Sequence, residues 1–335
     1  MALIAGIDIG GSSVKVGVVD ADGRVLARKQ QQILASEQAP ASVVGFACTL
    51  LQQALEELKL TRKDLLAVGV GCPGILRAGG VIHAASNFPS WSDVPLQQLF
   101  VNHLDGVQVH VCNDADAAIL AEQWVGTAKQ NVKNFIMLTL GTGVGFGIIN
   151  DGRLVRGGTN AIEGGHMIVE RNGRLCGCTQ RGCLEAYSSA GALVLEAQEH
   201  MTAGADSTLA AYPLESITAK LIFELAAEGD PMCTRLIAEV SDDHFRANGN
   251  ELVTSGAADY LGFACVTFCR MLDPEMIVLS GGMAEAGNVF LQEVRSAYSK
   301  YSWSKFPNPV KIEIASAGYD SGIIGAAASC RAYML

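Results

Sequence analysis

Two stretches of this chain share one pattern of apolar and polar positions. The first begins at Ile7 and has an apolar run, a turn of glycine and serine, a second β-branched run and then Asp22-Gly23. The second begins at Met137 and repeats that order, with a glycine-rich turn and a closing Asp151-Gly152. Asp-Gly pairs favour hairpin turns, and glycines let backbone N–H groups converge on a phosphate. One such hairpin is usually only a tight turn, but two of them predict a pair of phosphate-binding hairpins.

Helix-like and strand-like periodicities alternate after each hairpin. This alternation is typical of α/β folds, in which helices cover a sheet. Helices are predicted over residues 41–58, 96–103, 184–200, 216–227, 257–272, 284–300 and 321–332, and strands over residues 66–72, 107–112, 276–279 and 310–315. Residues 201–212 and 241–250 have weak periodicity and are predicted to be surface connections. The pattern therefore predicts two similar α/β halves, with a nucleotide in a cleft between them.

Composition and charge narrow the classes of function. The chain has 335 residues, of which 49% are hydrophobic and 17% charged, and this indicates a globular protein of about two domains. A formal net charge of -10 argues against nucleic acid or an anionic membrane as a partner, although backbone dipoles can still hold a nucleotide. No apolar run is long enough to cross a bilayer, and the N-terminus lacks a basic signal-peptide start. With ten cysteines as well, we expect a reducing, cytoplasmic location.

A cluster of metal-ligand residue types lies between residues 166 and 185. His166, Cys176, Cys178 and Cys183 match the Cys3His ligand set of a closed tetrahedral zinc site. Four protein ligands leave no open position, so such a zinc would be structural and not catalytic. The alternative is that three of the ten cysteines lie close together by chance, beside a solvated histidine. The other seven cysteines are interpreted as small apolar side chains and not as disulfides.

Asp114 is the candidate catalytic base. It follows the predicted strand 107–112 and begins a predicted helix, which places it at the carboxyl end of a strand, where α/β active sites form. The alternative is a helix N-cap, for which aspartate and asparagine are both well suited, and Asn113-Asp114 offers both residues. Asp116 is interpreted as a favourable charge in the first helical turn and not as a second base.

Seven short motifs together resemble one known family. They are Asp8-Ile-Gly-Gly-Ser12, Cys72-Pro73-Gly74, Asn113-Asp114-Ala-Asp116-Ala, Leu140-Gly-Thr-Gly-Val-Gly145, Glu163-Gly-Gly-His166, Cys176-Gly-Cys178-Thr-Gln-Arg-Gly-Cys183-Leu-Glu185 and Leu279-Ser-Gly-Gly282. With them the chain resembles, nearly end to end, the ROK (repressor, open reading frame, kinase) group of sugar kinases in the actin-like, ribonuclease-H-like ATPase superfamily. The resemblance implies an α/β fold of two duplicated actin-like (ribonuclease-H-like) domains with a cleft between them.

The resemblance also implies where the domains begin and end. An N-terminal α/β domain is expected over residues 1–118, and a larger C-terminal α/β domain over residues 119–319. The second domain would contain a zinc-binding loop, residues 163–185, called the metal loop below. A C-terminal helix at about residues 320–335 is expected to pack back onto the first domain.

The chain departs from the family pattern at a few positions. Thr179 stands where the family usually has glycine, Gly164 where isoleucine is common, and Ser12 where threonine is frequent. None of these changes removes an expected ligand or base, although Thr179 could shift the metal loop. Members of the family that repress transcription carry an N-terminal helix-turn-helix, and Asp8 is expected to start the first domain too early to leave room for one.

Residues for ATP and for proton transfer follow from the resemblance. It implies that Asp114 is the general base that accepts the proton of the sugar's primary alcohol, O6. It places Asp8 near the phosphates and Mg²⁺, directly or through water, since hard cations prefer oxygen ligands. Lys15 either assists at the phosphates or is an exposed strand residue. The other residues implied to bind the nucleotide belong to three turns: Gly10, Gly11, Ser12, Ser13, Gly141, Thr142, Gly143, Gly145, Gly281 and Gly282.

A sugar pocket of carboxylates, amides and a histidine is implied in the same way. Its residues are Gly74, Asn87, Asn113, Asp114, Glu163, His166 and Glu185. His166 would have two functions, with one ring nitrogen on zinc and the other donating to a sugar hydroxyl. Phe88 and Trp91, which flank Asn87, are interpreted as core residues, the commoner position of aromatic side chains.

The function expected from these residues is ATP-dependent phosphorylation of a hexose, first of all of glucose to glucose 6-phosphate. A homodimer is expected, as is closure of the two domains over the sugar to exclude water. N-acetylmannosamine, mannose, allose and fructose remain open as acceptors, and polyphosphate as donor. A sugar-sensing regulator is the alternative class, although the retained Asp114 and both phosphate turns argue against it. An acetate-kinase-like ATPase fits poorly with the sugar-type carboxylates and the metal loop.

Overall fold

The computed structural model describes residues 2–85, 87–129, 132–158, 162–238, 256–305 and 310–334. The chain packs as two compact units. The first contains Met1–Lys133, Gly147–Ile162 and Ala315–Leu335, and the second contains Asn134–Phe146 and Glu163–Ile314. The boundary expected at residue 118 falls inside an unbroken helix, Asp114–Trp124, so the first unit continues beyond it. The connection predicted at residues 241–250 lies outside the described residues.

Both units contain strands and helices. The strands are β1 (Leu3–Ile9), β2 (Ser13–Val19), β3 (Val25–Gln32), β4 (Leu65–Cys72), β5 (Ile75–Arg77), β6 (Val81–Ala84), β7 (Ser92–Val94), β8 (Gln108–Asn113), β9 (Phe135–Leu140), β10 (Val144–Asn150), β11 (Arg153–Leu154), β12 (Met276–Ser280) and β13 (Lys311–Ile314). The helices are α1 (Pro40–Glu57), α2 (Leu96–His103), α3 (Asp114–Trp124), α4 (Glu185–Ser188), α5 (Ala190–Thr202), α6 (Ala219–Ala227), α7 (Pro231–Ile237), α8 (Ala257–Leu272), α9 (Asn288–Tyr301) and α10 (Ser321–Met334). Within the described part of the chain, none of these helices is long and apolar enough for a membrane crossing.

A five-stranded sheet in the order β3-β2-β1-β4-β8 forms the centre of the first unit. Strands β1, β2 and β3 are antiparallel neighbours, whereas β4 is parallel to both β1 and β8. Successive β1 residues alternate between two apolar clusters, as the two faces of a strand require. Ile4 packs with Ile323 and Ala327 of α10, while Leu3 and Ala5 belong to the larger cluster that α1 covers. Helices on both faces explain why the central strands β1 and β4 are almost entirely apolar.

The second five-stranded sheet has the order β11-β10-β9-β12-β13. Strand β12 is parallel to both β9 and β13, and β10 is antiparallel to β11. The two sheets share one order. Three consecutive strands, β3-β2-β1 in the first sheet and β11-β10-β9 in the second, are followed by two later strands parallel to β1 or to β9. The shared order confirms the α/β class and the duplication that the two hairpins predicted.

Several helices differ from the prediction because single residues interrupt the apolar pattern. The helix predicted over residues 184–200 is divided into α4 and α5, since Ser189 is extended and its hydroxyl accepts the Ala192 N–H at 3.0 Å. The helix predicted from residue 284 begins only at Asn288, after Gly287 with φ +70°. Strands β5–β7 and helix α7 were not predicted, since each is too short to show a period. The division between α4 and α5 places the start of α5 beside the second glycine-rich turn, where the Ala190 N–H donates to the Gly141 carbonyl.

Candidate active site

The turn between β1 and β2, residues 10–13, is closed by a hydrogen bond from the Gly10 N–H to the Ser13 carbonyl at 2.8 Å. Asp8 and Lys15 face each other in the register of these two strands. Their charged groups lie 3.9 Å apart, and the Lys15 ammonium also lies 4.3 Å from the centre of the Tyr319 ring. Lys15 is therefore directed at the Asp8 carboxylate and is not simply an exposed strand residue.

Asp8 and Asp114 are close enough to interact electrostatically. Burial raises the pKa of the Asp8 carboxyl, Lys15 partly lowers it, and the Asp114 carboxylate raises it further. Asp8 lies near the end of β1, and Asp114 follows the end of β8, which reaches the same edge of the sheet through the parallel neighbour β4. Two carboxylates at the carboxyl ends of parallel strands form an acidic site of the kind that can hold a cation and accept a proton.

Asn113 is the N-cap of helix α3, so the capping role left open for Asp114 is taken by its neighbour. The Asn113 side-chain oxygen accepts the Ala115 N–H at 2.8 Å, and its amide group donates to the Gly74 carbonyl at 2.9 Å. Asp114 accepts the same Ala115 N–H through Oδ1 at 2.9 Å. Solvent reaches Asp114 on one side, but the protein atoms around it remove part of its hydration, and this burial raises its pKa.

The structure also places four other residues of the first unit that were interpreted from the sequence: Asp116, Asn87, Phe88 and Trp91. Asp116 lies 3.6 Å from Arg156, which supports its interpretation as a structural charge on α3. The Asn87 side chain packs against Gly11, where an added Cβ would lie 2.9 Å from the Asn87 Cβ. Phe88 and Trp91 are buried and stacked, with ring centres 4.4 Å apart, so their interpretation as core residues is confirmed. The first unit thus places Asn87 against the first turn, and Asp8, Asn113 and Asp114 at or near the carboxyl ends of β1 and β8.

The second glycine-rich turn, residues 141–143, is closed by a hydrogen bond from the Gly141 N–H to the Gly143 carbonyl at 3.0 Å. Gly281 follows β12 with φ +86°, and an added Cβ there would lie 2.5 Å from the Leu140 carbonyl oxygen at the end of β9. The glycine pair 281–282 therefore lies beside the second turn. Gly145 belongs to strand β10 and not to the turn itself.

The expected sugar residues of the second unit lie at both ends of the metal loop. Residues Gly164–His166 form a short helical turn, in which the His166 N–H donates to the Glu163 carbonyl at 3.0 Å. Glu185 begins α4, and its Oε2 accepts the Val144 N–H at 2.9 Å, directly after the second turn. Glu185 thus contacts the second glycine-rich turn, a contact that sequence reasoning did not provide.

Four side chains of the metal loop lie close together and could hold a metal ion. The candidate ligand atoms of His166, Cys176, Cys178 and Cys183 all lie within 4.8 Å of one another. The Cys178 and Cys183 sulfurs are 3.6 Å apart, and the Cys176 sulfur is 3.7 Å from His166 Nδ1. With metal–ligand bonds of about 2.0–2.3 Å, the edges of a tetrahedral zinc site are about 3.5–3.8 Å long. The residue types and these two distances fit zinc, and Nδ1 is the His166 ring nitrogen that faces the Cys176 sulfur.

Thr179 adopts a backbone conformation that explains the glycine usual at this position. Its φ is +72°, in the left-handed region, which costs about 1–2 kcal/mol for a residue with a side chain. We expect Thr179→Gly to stabilise the metal-loaded protein by about 1 kcal/mol and to slow release of the metal to a chelator. Asn172→Gly, in the same loop with φ +60°, is the matched control and should change little, since asparagine tolerates this region. Equal effects of the two substitutions would contradict the explanation.

Sequence reasoning missed the contacts of two buried glutamates, Glu196 and Glu122. Arg174 in the metal loop forms a two-pronged ion pair with Glu196 of α5, with N–O distances of 2.8 and 2.6 Å. Glu122 of α3 is buried and accepts backbone N–H groups from Thr127, Ser316 and Ala317. The sequence contains only a weak indication of these contacts. An acidic residue on the apolar face of a predicted helix needs a polar partner, but the sequence does not show which residue that partner is.

Comparison with known proteins gives the family. The profile of the ROK family matches residues 4–332. A glucokinase of Thermotoga maritima is 30% identical over 97% of this chain and 96% of its own, and an N-acetylmannosamine kinase of Vibrio vulnificus is 28% identical over 97% and 96%. The crystal structure of a ROK family glucokinase from Streptomyces griseus, in complex with glucose and AMPPNP, matches with a TM-score of 0.75 at 30% identity, over 97% of this chain and 98% of that one.

The fold and the matches together define the class. Two α/β units, each with the same strand order and a glycine-rich turn after its first strand, are the actin-like architecture of sugar kinases. This chain belongs to the ROK family.

Proposed function

We propose that this ROK-family sugar kinase transfers the γ-phosphoryl group of ATP to the primary hydroxyl of a hexose, with glucose as the first acceptor and Asp114 as the general base. The observation that carries the proposal is the position of Asp114. It follows the end of β8 at the start of α3, is held by the Ala115 N–H, and lies within electrostatic range of Asp8. Phosphoryl transfer needs a base beside the attacking hydroxyl and cations at the phosphates, and this edge of the sheet offers both.

Asp114 is suited to accept a proton from an alcohol. Its hydrogen bond to Ala115 uses Oδ1, so Oδ2 would receive the proton of the sugar's primary hydroxyl as the oxygen attacks the γ-phosphorus. Partial loss of hydration raises the pKa of Asp114, which makes its carboxylate a better proton acceptor than a fully solvated one. Asn113 would keep the carboxylate in place, since its amide is bonded to both α3 and the Gly74 carbonyl.

The nucleotide would be held by the glycine-rich turns. Residues 10–13 and 141–143 would direct backbone N–H groups to the phosphates, and the glycine pair 281–282 would pack against the adenosine. Asp8 would hold Mg²⁺ directly or through water, and Mg²⁺ would supply charge neutralisation on the phosphates. The Lys15 ammonium, 3.9 Å from the Asp8 carboxylate, would also offset the negative charge of the phosphates. The relative crystallised with AMPPNP supports ATP as the donor.

The sugar would be bound by hydrogen bonds to its ring hydroxyls. Asn87, Asn113 and the backbone at Gly74 would contribute from the first unit, and Glu163, His166 and Glu185 from the second. Zinc on His166 and the three cysteines would keep His166 oriented, with Nε2 donating to a hydroxyl, because a metal on one ring nitrogen fixes the proton on the other. We further propose a cytoplasmic homodimer.

The acceptor is tested by a coupled ADP-release assay over a panel of hexoses. We expect the highest kcat/KM with glucose and lower values with mannose, allose, fructose and N-acetylmannosamine. N-acetylmannosamine is included because an N-acetylmannosamine kinase matches the chain almost as well as a glucokinase. Polyphosphate in place of ATP tests the donor. Turnover that no sugar stimulates, together with sugar binding in calorimetry, would favour a non-catalytic regulator over the kinase.

A further inference from the structure

The residue two positions after the last metal-ligand cysteine is bonded to the second turn. Glu185 accepts the Val144 N–H through Oε2 at 2.9 Å, while its Oε1 lies 3.5 Å from the Cys176 sulfur. Gly143 lies so close to the Glu185 carboxylate that an added Cβ would overlap it. One carboxylate therefore contacts both the metal loop and the turn that we assign to phosphate.

The start of helix α5 contacts the same turn from a second side. The Ala190 N–H donates to the Gly141 carbonyl at 2.8 Å. Gly191 passes close to Thr142, where an added Cβ would lie 2.7 Å from the Thr142 carbonyl oxygen. The segment from Glu185 to Gly191 therefore fixes both ends of the second turn, and all of these residues belong to the second unit.

The metal loop is itself anchored to α4 and α5. The Arg174 guanidinium forms its two-pronged ion pair with Glu196, which is buried in α5, and such charge-assisted pairs fix orientation as well as distance. The Arg174 N–H also donates to the Tyr187 hydroxyl of α4 at 2.7 Å. A shift of the metal loop would therefore be transmitted to the helices that hold the second turn.

The metal loop contains little regular secondary structure. Two isolated bridges, Ile168↔Cys183 and Leu175↔Arg181, lie within its described residues. A metal held by His166, Cys176, Cys178 and Cys183 would cross-link the loop at four points, including one two residues before Glu185. Binding of a metal to such a site contributes directly to the local folding free energy.

We propose that the metal loop positions the second turn through Glu185, Ala190 and Gly191, so that occupancy of the metal site sets the affinity for nucleotide as well as the order of the sugar pocket. The inference rests on the proposed function, since it assumes that residues 141–143 hold phosphate. Glu185 and Gly191 are positioning residues in this proposal. The ligand that reports on it is Mg²⁺–ADP, which binds without a sugar and without turnover.

The first experiment compares Mg²⁺–ADP binding to the full-length protein before and after removal of zinc by a chelator, which is dialysed out before titration. Zinc content is measured in each sample. We expect the dissociation constant to rise about tenfold on zinc removal and to recover when zinc is restored, with far-ultraviolet circular dichroism unchanged. A dissociation constant within twofold of the loaded protein would overturn the proposal, as would a protein that binds no zinc.

The second experiment changes the contact of α5 with the second turn while the metal ligands stay intact. It tests the proposal even if the zinc-free protein unfolds. Gly191→Ala introduces the close contact to the Thr142 carbonyl without touching a metal ligand. We expect zinc to remain bound while the dissociation constant for Mg²⁺–ADP and the KM for ATP rise several-fold, with a smaller change in kcat. Gly45→Ala, at a helical glycine of α1 with open space around it, is the matched control. Unchanged nucleotide binding in Gly191→Ala would overturn the proposal.

The proposed kinase function and the proposed coupling between metal loop and second turn can be contradicted separately. If no hexose is phosphorylated but Mg²⁺–ADP binding follows zinc content, the proposed function is wrong and the coupling between loop and turn stands. If hexoses are phosphorylated and removal of zinc weakens only sugar binding, the kinase assignment stands and the coupling is wrong.

Discussion

Replacing Asp114 with asparagine is expected to lower kcat for hexose phosphorylation by about 10³-fold, within the range of about 10²–10⁴ that general-base catalysis contributes. Asparagine keeps the size of the side chain and an oxygen for the Ala115 N–H, but it cannot take the proton from the hydroxyl. The KM for the sugar should change by only a few-fold, because the ring hydroxyls keep their other partners. Initial rates of ADP formation at saturating ATP measure both constants.

Asp116→Asn is the matched control for this substitution. Asp116 lies on the same helix, carries the same charge and is 3.6 Å from Arg156. We expect its kcat to remain within about threefold of the unsubstituted enzyme, since Asp116 pairs with Arg156 and takes no part in the proposed proton transfer. If Asp114→Asn were as active as Asp116→Asn, a different group would have to accept the proton, and the catalytic assignment would be wrong.

The pH dependence of the reaction follows from the raised pKa of Asp114. The carboxylate is the active form, so kcat/KM should fall as pH decreases through a midpoint above the usual 3.8 of aspartate. Since the folded state holds this proton more tightly than the unfolded state, ionisation of Asp114 reduces stability as pH rises through that midpoint. At neutral pH, Asp114→Asn should therefore unfold at an equal or higher temperature. A lower midpoint of thermal unfolding would attribute its lost activity to misfolding.

Patterns within short stretches of sequence predicted the features that depend on neighbouring residues. The Asp-Gly hairpins, the glycine-rich turns and the His166 to Cys183 ligand set are local, because each is formed by residues less than twenty positions apart. The duplicated strand order followed from two similar hairpins, each succeeded by alternating helices and strands. The ligand cluster could also be predicted as tetrahedral, since zinc fixes the geometry once the four donors are known.

The contacts that the sequence could not predict join distant parts of the chain. Val144 and Glu185 are 41 positions apart, and Glu122 and Ala317 are 195 apart. Apolar periodicity shows which face of a helix is buried but not what that face meets. The helix break at Ser189 depends on neighbouring residues and was still missed. The Ser189 side chain caps α5, but the apolar pattern continues through this position and therefore does not show the break. Roles of residues therefore followed from family resemblance, and their connections from the structure.

Glu122→Ala is expected to reduce the free energy of unfolding by about 3–5 kcal/mol, because three partly buried backbone N–H groups lose their acceptor and an unsatisfied buried donor costs about 1–3 kcal/mol. The Glu122 side chain is 1% exposed and accepts from Thr127 at 2.7 Å, from Ser316 at 3.0 Å and from Ala317 at 2.7 Å. Thr127 follows α3 in sequence, whereas Ser316 and Ala317 precede α10. One carboxylate thus joins these two segments of the first unit to α3.

Two controls separate the lost acceptor from a general effect on α3. Glu122→Gln keeps one acceptor oxygen but turns an N–H group toward the others, so we expect an intermediate loss of about 1–2 kcal/mol. Gln123→Ala removes an exposed hydrogen bond to the Gly152 carbonyl from the adjacent position and should cost about 0.5 kcal/mol or less. Urea denaturation of the zinc-loaded protein measures all three. Because a helix-propensity effect would favour alanine at both positions, a loss in Glu122→Ala no larger than in Gln123→Ala would show that these N–H groups find other partners.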